Sequence, residues 1–139
     1  MEIIDATNLI VGRLSTHVVK RLLEDKDLEI AIVNAENAVI SGNRKRVLND
    51  YKRKRELTHP RKGPYFPKRP DRILKRTIRG MLPYQQPRGR QALKRVKVYI
   101  GLPIELKGKK SRTVESARNK DLESFVELKE ISRVLGANI

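Results

Sequence analysis

The 139-residue sequence predicts an α/β fold built on parallel strands, and three observations carry that prediction. The first forty residues run strand, helix, strand, the pattern of a β–α–β unit. The run IAIV, Ile30 to Val33, is continuously apolar, which suits a strand covered on both faces as in a parallel sheet. The stretch from Arg72 to Met81 carries an apolar and a cationic stripe opposed across a helical axis, so that one face can dock on a sheet while the other faces outward.

Taken in order, EIIDA is a short strand, and Gly12 to Glu24 is a helix with Leu14, Val18, Leu22 and Leu23 on one face. After IAIV, the residues AVI form a further extended piece before the turn Ser41-Gly42-Asn43. A second helix runs from Asn43, whose side chain caps it, to about Glu56, with a narrow apolar stripe of Val47, Leu48 and Tyr51. THPRKGPYFPKRPD is a loop with prolines at 60, 64, 67 and 70, the last three at the period of polyproline II. Pro70 and Asp71 open a third helix, where a fixed φ and a negative charge both suit the first turn. Ile73, Leu74, Thr77, Ile78 and Met81 form its inner side, and Gly80 and Pro83 end it. Arg88 to Arg95 resumes a helix with Ala92 and Leu93 inside, VKVYI is a strand closed by Gly101 and Pro103, and KGKKSR is a basic loop. FVELKEISRVLG ends the chain as a short extended piece and a helix, with Leu128, Ile131 and Leu135 in the core and Gly136 as its stop.

Length predicts a single domain over residues 1–139, with 1–105 as the α/β core and 106–139 as a C-terminal extension. The chain has no cysteine, which excludes disulfides, thiolate zinc sites and cysteine nucleophiles. A signal-peptide pattern and an apolar run of roughly 18 residues are both missing, so a soluble, intracellular protein is expected.

Charge is the dominant feature. The formal net charge is +16, where a small domain needs only about 2–8 for solubility. Ser41 to Arg112 holds 24 Lys and Arg against 4 Asp and Glu, a net of +20, and the two flanks together come to −4. Cations at this density repel one another unless a polyanion neutralises them.

Enzymatic chemistry finds little support. The segment IIDATNLIVGRLS offers a strand, one glycine and a helix start, but neither G-x-G-x-x-G nor the P-loop pattern is present. His17 and His59 are far apart and lack cysteine companions for a zinc site. Ser41 lacks the G-x-S-x-G setting. No catalytic residue, metal, cofactor, small-molecule substrate or membrane contact is therefore expected.

Binding to nucleic acid accounts for more residues at once, because Lys and Arg that neutralise phosphates release counterions. The candidates are Arg44, Lys45, Arg46, Lys52 and Arg53 on the second helix, and Arg61, Lys62, Lys68 and Arg69 in the proline-rich loop. Arg72, Lys75, Arg76 and Arg79 form the outer stripe of the third helix, Arg88, Arg90 and Lys94 follow the bend, and Lys109 and Lys110 lie in the late basic loop. Tyr65 and Tyr84 are placed to stack on unpaired bases, with Phe66 divided between stacking and packing. Gly89 lets backbone approach a phosphate closely. Duplex DNA is the rival ligand, but cations spread over loops, a bend and several helix faces suit folded RNA better than a regular groove.

Four motifs, DATNLIVGRLS, VNAENAVISGNR, RTIRGMLP and RGRQALKRVKVYIGLP, resemble the universal large-subunit ribosomal protein family L-thirteen, over Asp5 to about Pro103. The loop GPYFPKRP and the short C-terminal extension resemble its archaeal and eukaryotic branch. This resemblance implies a three-layer α/β/α fold around a mostly parallel four-stranded sheet, and a non-catalytic role in binding large-subunit rRNA and in subunit assembly. Partners would be that rRNA and neighbouring large-subunit ribosomal proteins, in the cytoplasmic ribosome. The family's characteristic segment falls on Arg79, Gly80, Met81, Leu82 and Pro83, then Gly89 and Arg90.

Overall fold

The computed structural model describes residues 1–139. Its main sheet has three parallel strands, β1 (Glu2–Asp5), β2 (Ile30–Val33) and β4 (Val96–Val98), in the order β1-β2-β4. The central strand β2 is buried at every position, as its unbroken apolar run requires. Helix α1 (Val11–Glu24) is the crossover from β1 to β2. A short strand β3 (Val39–Ser41) leads into α2 (Arg44–Glu56), followed by α3 (Pro70–Met81) and α4 (Pro87–Lys94). The chain ends with β5 (Phe125–Glu127), which pairs antiparallel with β3, and α5 (Leu128–Val134).

Alternation along the strands separates two apolar clusters. Ile4, Ile30, Ile32 and Val96 pack with the inner residues of the helices, including Leu14 and Val18 of α1, Ile73, Leu74 and Ile78 of α3, and Leu128 and Ile131 of α5. The C-terminal helix thus shares the core of the first hundred residues. On the opposite face Ile3, Ala31 and Val33 are covered by Leu106, from a 3-10 turn at Ile104–Leu106, with Tyr99 beside it.

The parallel sheet has three strands where four were expected. Along the free edge of β1 there is a single bridge: Arg112 N donates to Ile3 O at 2.8 Å, and Asp5 N donates to Arg112 O at 2.9 Å. KGKKSR has no apolar side chain to lay on the sheet, so pairing stops after one residue. Two inner positions also differ. Leu23 is 40% exposed, because Val19 and Leu22 complete the buried arc of α1 and Leu23 lies one residue beyond it. Met81 is 43% exposed at the last position of α3, and the buried residue there is the cap, Leu82.

At the C-terminal end of β1, Asp5 Oδ1 accepts hydrogen bonds from Thr7 N, Thr7 Oγ1 and Asn34 Nδ2. Burial acts to raise the pKa of this carboxyl, but the three donors together outweigh it and hold the pKa below the ordinary 3.8.

Candidate nucleic-acid interface

Helix α2 begins as expected: Asn43 Oδ1 accepts from Lys45 N at 3.0 Å and Arg46 N at 3.4 Å. Only Val47 is buried, so the helix lies on the body by a narrow stripe and leaves Lys45, Arg46, Lys52 and Arg53 in solvent. Arg44 is also exposed, but it pairs with Glu130 of α5.

The proline-rich loop is tied down by aromatic packing and by cations that donate to its carbonyls. Phe66 meets Tyr51 of α2 edge-on, centroids 5.7 Å apart, which assigns Phe66 to packing. Burial raises the pKa of the Tyr51 phenol, which keeps it neutral. Arg55 donates to the Phe66 carbonyl, and Arg76 Nη1 to the Tyr65 carbonyl at 3.2 Å. Gly63 has φ +74, a left-handed residue just ahead of the stretch in which prolines 64, 67 and 70 recur. Arg61 and Lys62 are exposed at its tip and Lys68 is half-buried. Arg69 Nε lies 3.4 Å from Asp71 Oδ1, too poorly aligned for a hydrogen bond. Tyr65 is 57% exposed, with its hydroxyl donating to Pro60 O at 2.9 Å.

The cationic stripe of α3 is not the uniform outer face that periodicity implies. Of its four cations, only Arg72 is exposed. Lys75 Nζ donates to Val96 O at 3.1 Å, the Arg76 guanidinium sits 4.8 Å from the Phe66 ring centroid, and that of Arg79 sits 5.1 Å from Tyr84. A stripe about 100° wide leaves its margin against neighbouring elements, where long side chains lay their stems on protein and keep their heads accessible. These four side chains, with Tyr65, Pro67 and Leu93, line an open-sided hollow of about 300 Å³.

The bend between α3 and α4 is closed by contact at Gly89. Gly89 is buried, and a Cβ placed there would lie 2.0 Å from Pro83 O and 2.8 Å from Tyr84 N. Glycine therefore lets α4 close on the PYQQP turn, a packing role in addition to the phosphate approach expected of Gly89. Gly80 is exposed with open space around it. Arg88, Arg90 and Lys94 are exposed along α4, and Tyr84 is 40% exposed beside Arg79.

Two further arrangements follow from the fold. Lys26, just beyond α1, shares a hollow of about 470 Å³ with Arg88, Gln91 and Lys94. Sequence reasoning misses it because it lies in the net-acidic N-terminal flank, and only the docking of α4 near the end of α1 brings it in. Arg95 fixes that docking by donating to Leu22 O and Leu28 O, each at 3.0 Å, and to Asp25 O at 2.6 Å. Lys109 and Lys110, by contrast, stand apart: Lys110 lines a hollow with Met1 and Arg112 at the β1 edge, whereas α4 packs at β4 on the other edge.

Among the 24 cations from Ser41 to Arg112, only Arg44 and Arg69 lie within ion-pair distance of a carboxylate. Several of the other cations are oriented by carbonyls or rings, and none of them is neutralised by a carboxylate.

A family model described as "Ribosomal protein L13" matches residues 1–105. Among similar proteins, the "Large ribosomal subunit protein uL13" of Methanosarcina barkeri is 54% identical over 139 residues, covering 99% of each chain. The protein of the same name from Methanococcoides burtonii is 48% identical with 99% of each chain covered. That from Archaeoglobus fulgidus is 45% identical over 96% of this chain and 86% of its own.

Proposed function

The chain belongs to the ribosomal protein L13 family, and we propose that it holds folded large-subunit rRNA by phosphate neutralisation and shape fit during subunit assembly and in translation. It is a structural constituent of the large subunit in the cytoplasm and not an enzyme. The observation that carries the mechanism is the unneutralised charge: two ion pairs among 24 cations leave the central segment in need of a polyanion.

The proposed contact surface runs from α2 through the proline-rich loop to α3 and α4. Arg46, Lys52 and Arg53 of α2 reach phosphates as exposed side chains, as do Arg61, Arg72, Arg88, Arg90 and Lys94, and Lys26 joins them beside α4. Lys109 and Lys110 form a second, separate contact at the β1 edge. The whole chain acts as one RNA-binding unit, supported by the contribution of α5 to the common core. The finer family architecture belongs to this reading too. Arg112 takes the place of a fourth strand at the edge of β1, and the turn bearing Leu106 covers the second face. Further partners are the ribosomal proteins that adjoin it on the subunit.

Competition between structured large-subunit rRNA and duplex DNA at matched salt tests the reading. Preference for the rRNA is expected, with affinity falling steeply as salt rises, by a log–log slope of about 0.7–0.9 per neutralised phosphate. Equal binding to the duplex, or affinity indifferent to salt, refutes it.

A further inference from the structure

The hollow beside α3 is where unneutralised charge converges on an aromatic ring. Arg72, Lys75, Arg76 and Arg79 all line it, and none of them is in an ion pair. Three of the four heads are nevertheless held in place, by the Val96 carbonyl, by the Tyr65 carbonyl with the Phe66 ring, and by the Tyr84 ring. A carbonyl or a ring face orients a cation without cancelling its charge. Arg79 Nε is enclosed and has no partner, so the protein leaves this donor unsatisfied. The free molecule therefore bears the repulsion of four cations, already arranged around a space that an anion can enter.

Tyr65 supplies the second half of the site. Its hydroxyl is anchored on Pro60 O, its carbonyl on Arg76, and its ring lies so close to Gly63 that a Cβ there would be 3.1 Å from Cδ2. More than half of the residue remains exposed, so an immobilised aromatic surface stands beside the cations. An aromatic face accepts a base of any sequence once that base has left its stack.

We propose that this hollow receives a single nucleotide extruded from the folded rRNA, its phosphate against Arg72, Lys75 and Arg79 and its base on the ring of Tyr65. The inference rests on the RNA-binding reading above and assigns one place on the surface to an unstacked base, in addition to backbone charge. The open-sided hollow of about 300 Å³ is at the small end of ligand sites, roughly 300–1,000 Å³. An acidic peptide would satisfy the cations but leave the fixed tyrosine unused, and that favours the nucleotide.

The test uses the full chain with Tyr65→Leu and Tyr65→Trp, titrated against large-subunit rRNA at several salt concentrations. Tyr65→Leu should weaken binding about 5- to 150-fold, the range for loss of one base–aromatic stack, with the salt slope unchanged and the thermal midpoint lower by only the few degrees that loss of the hydrogen bond to Pro60 O accounts for. Tyr65→Trp should restore binding, and base-specific chemical probing should find a base whose reactivity in the complex depends on residue 65. Unaltered rRNA affinity of Tyr65→Leu overturns the proposal, as does a change of salt slope with that variant. So does poly-glutamate binding as tightly as an oligoribonucleotide of equal charge, which would assign the hollow to an acidic protein segment. Failure of the wild-type chain to bind rRNA refutes the general reading, whereas binding that ignores Tyr65 refutes only the nucleotide site.

Discussion

Two helical glycines, Gly80 and Gly89, should respond with opposite signs to the same substitution. An alanine at Gly80 has nothing within 4 Å of its Cβ. It gains only the conformational advantage of alanine over glycine in a helix, about 0.5–1 kcal/mol. An alanine at Gly89 gains the same advantage but drives its Cβ to 2.0 Å from Pro83 O and 2.3 Å from Pro83 C. Those are main-chain atoms, so no side chain can swing aside, and α4 must back away from the turn. Overpacking of this kind costs about 1–3 kcal/mol, toward the upper end when backbone must move. The net for Gly89→Ala is a loss of about 1–2 kcal/mol. At roughly 3 °C per kcal/mol for a chain of this length, its thermal midpoint should fall by about 3–6 °C, while that of Gly80→Ala rises by about 2–3 °C. Circular dichroism melts of the two variants beside the wild type measure both shifts. Shifts of the same sign, or a Gly89→Ala protein as stable as wild type, would show that the bend is not closed by backbone contact at Gly89.

Arg72→Ala should lower the salt slope of rRNA binding by about 0.7–0.9 without moving the thermal midpoint, because this side chain is free in solvent. Arg76→Ala should weaken rRNA binding and also cost about 1–2 kcal/mol of stability, since it removes a carbonyl hydrogen bond and a cation–ring contact; denaturant titration separates the two variants. Ser15 is fully buried with its hydroxyl unpaired, so Ser15→Ala should stabilise by about 1 kcal/mol in the same titration, and a destabilised variant would mean the hydroxyl has a partner. The pKa of Asp5 is lowered in the folded state, so its carboxylate stabilises the protein above the ordinary value of 3.8, and that stability is lost as pH falls through the folded pKa. Wild type should therefore exceed Asp5→Asn in stability at neutral pH, with the gap closing as the solution is acidified below about pH 4; a gap independent of pH refutes the assignment.

Local pattern made much of this molecule legible. The unbroken IAIV run marked β2, Asn43 marked the start of α2, Pro70 that of α3 and Gly136 the end of α5. Each is a signal contained within a few residues, where backbone geometry and the spacing of apolar side chains decide the outcome. The excess charge from Ser41 to Arg112 is likewise a property of the chain itself, which no folding can remove. Partnership is different, because it depends on what arrives from elsewhere. The pairing of β3 with β5, the end of sheet pairing at Arg112 and the exposure of Met81 were set by contacts between distant segments.

The same division runs through the candidate site. Charge and amphipathic spacing in the sequence alone determined that a basic face would exist and that α3 would carry part of it. Only the tertiary structure decided which of its cations are oriented by carbonyls and rings, that Lys26 joins them, and that Gly89 serves packing. Periodicity gives the direction in which a side chain leaves its helix, but the atoms it meets belong to other elements, whose positions are set by how the whole core closes.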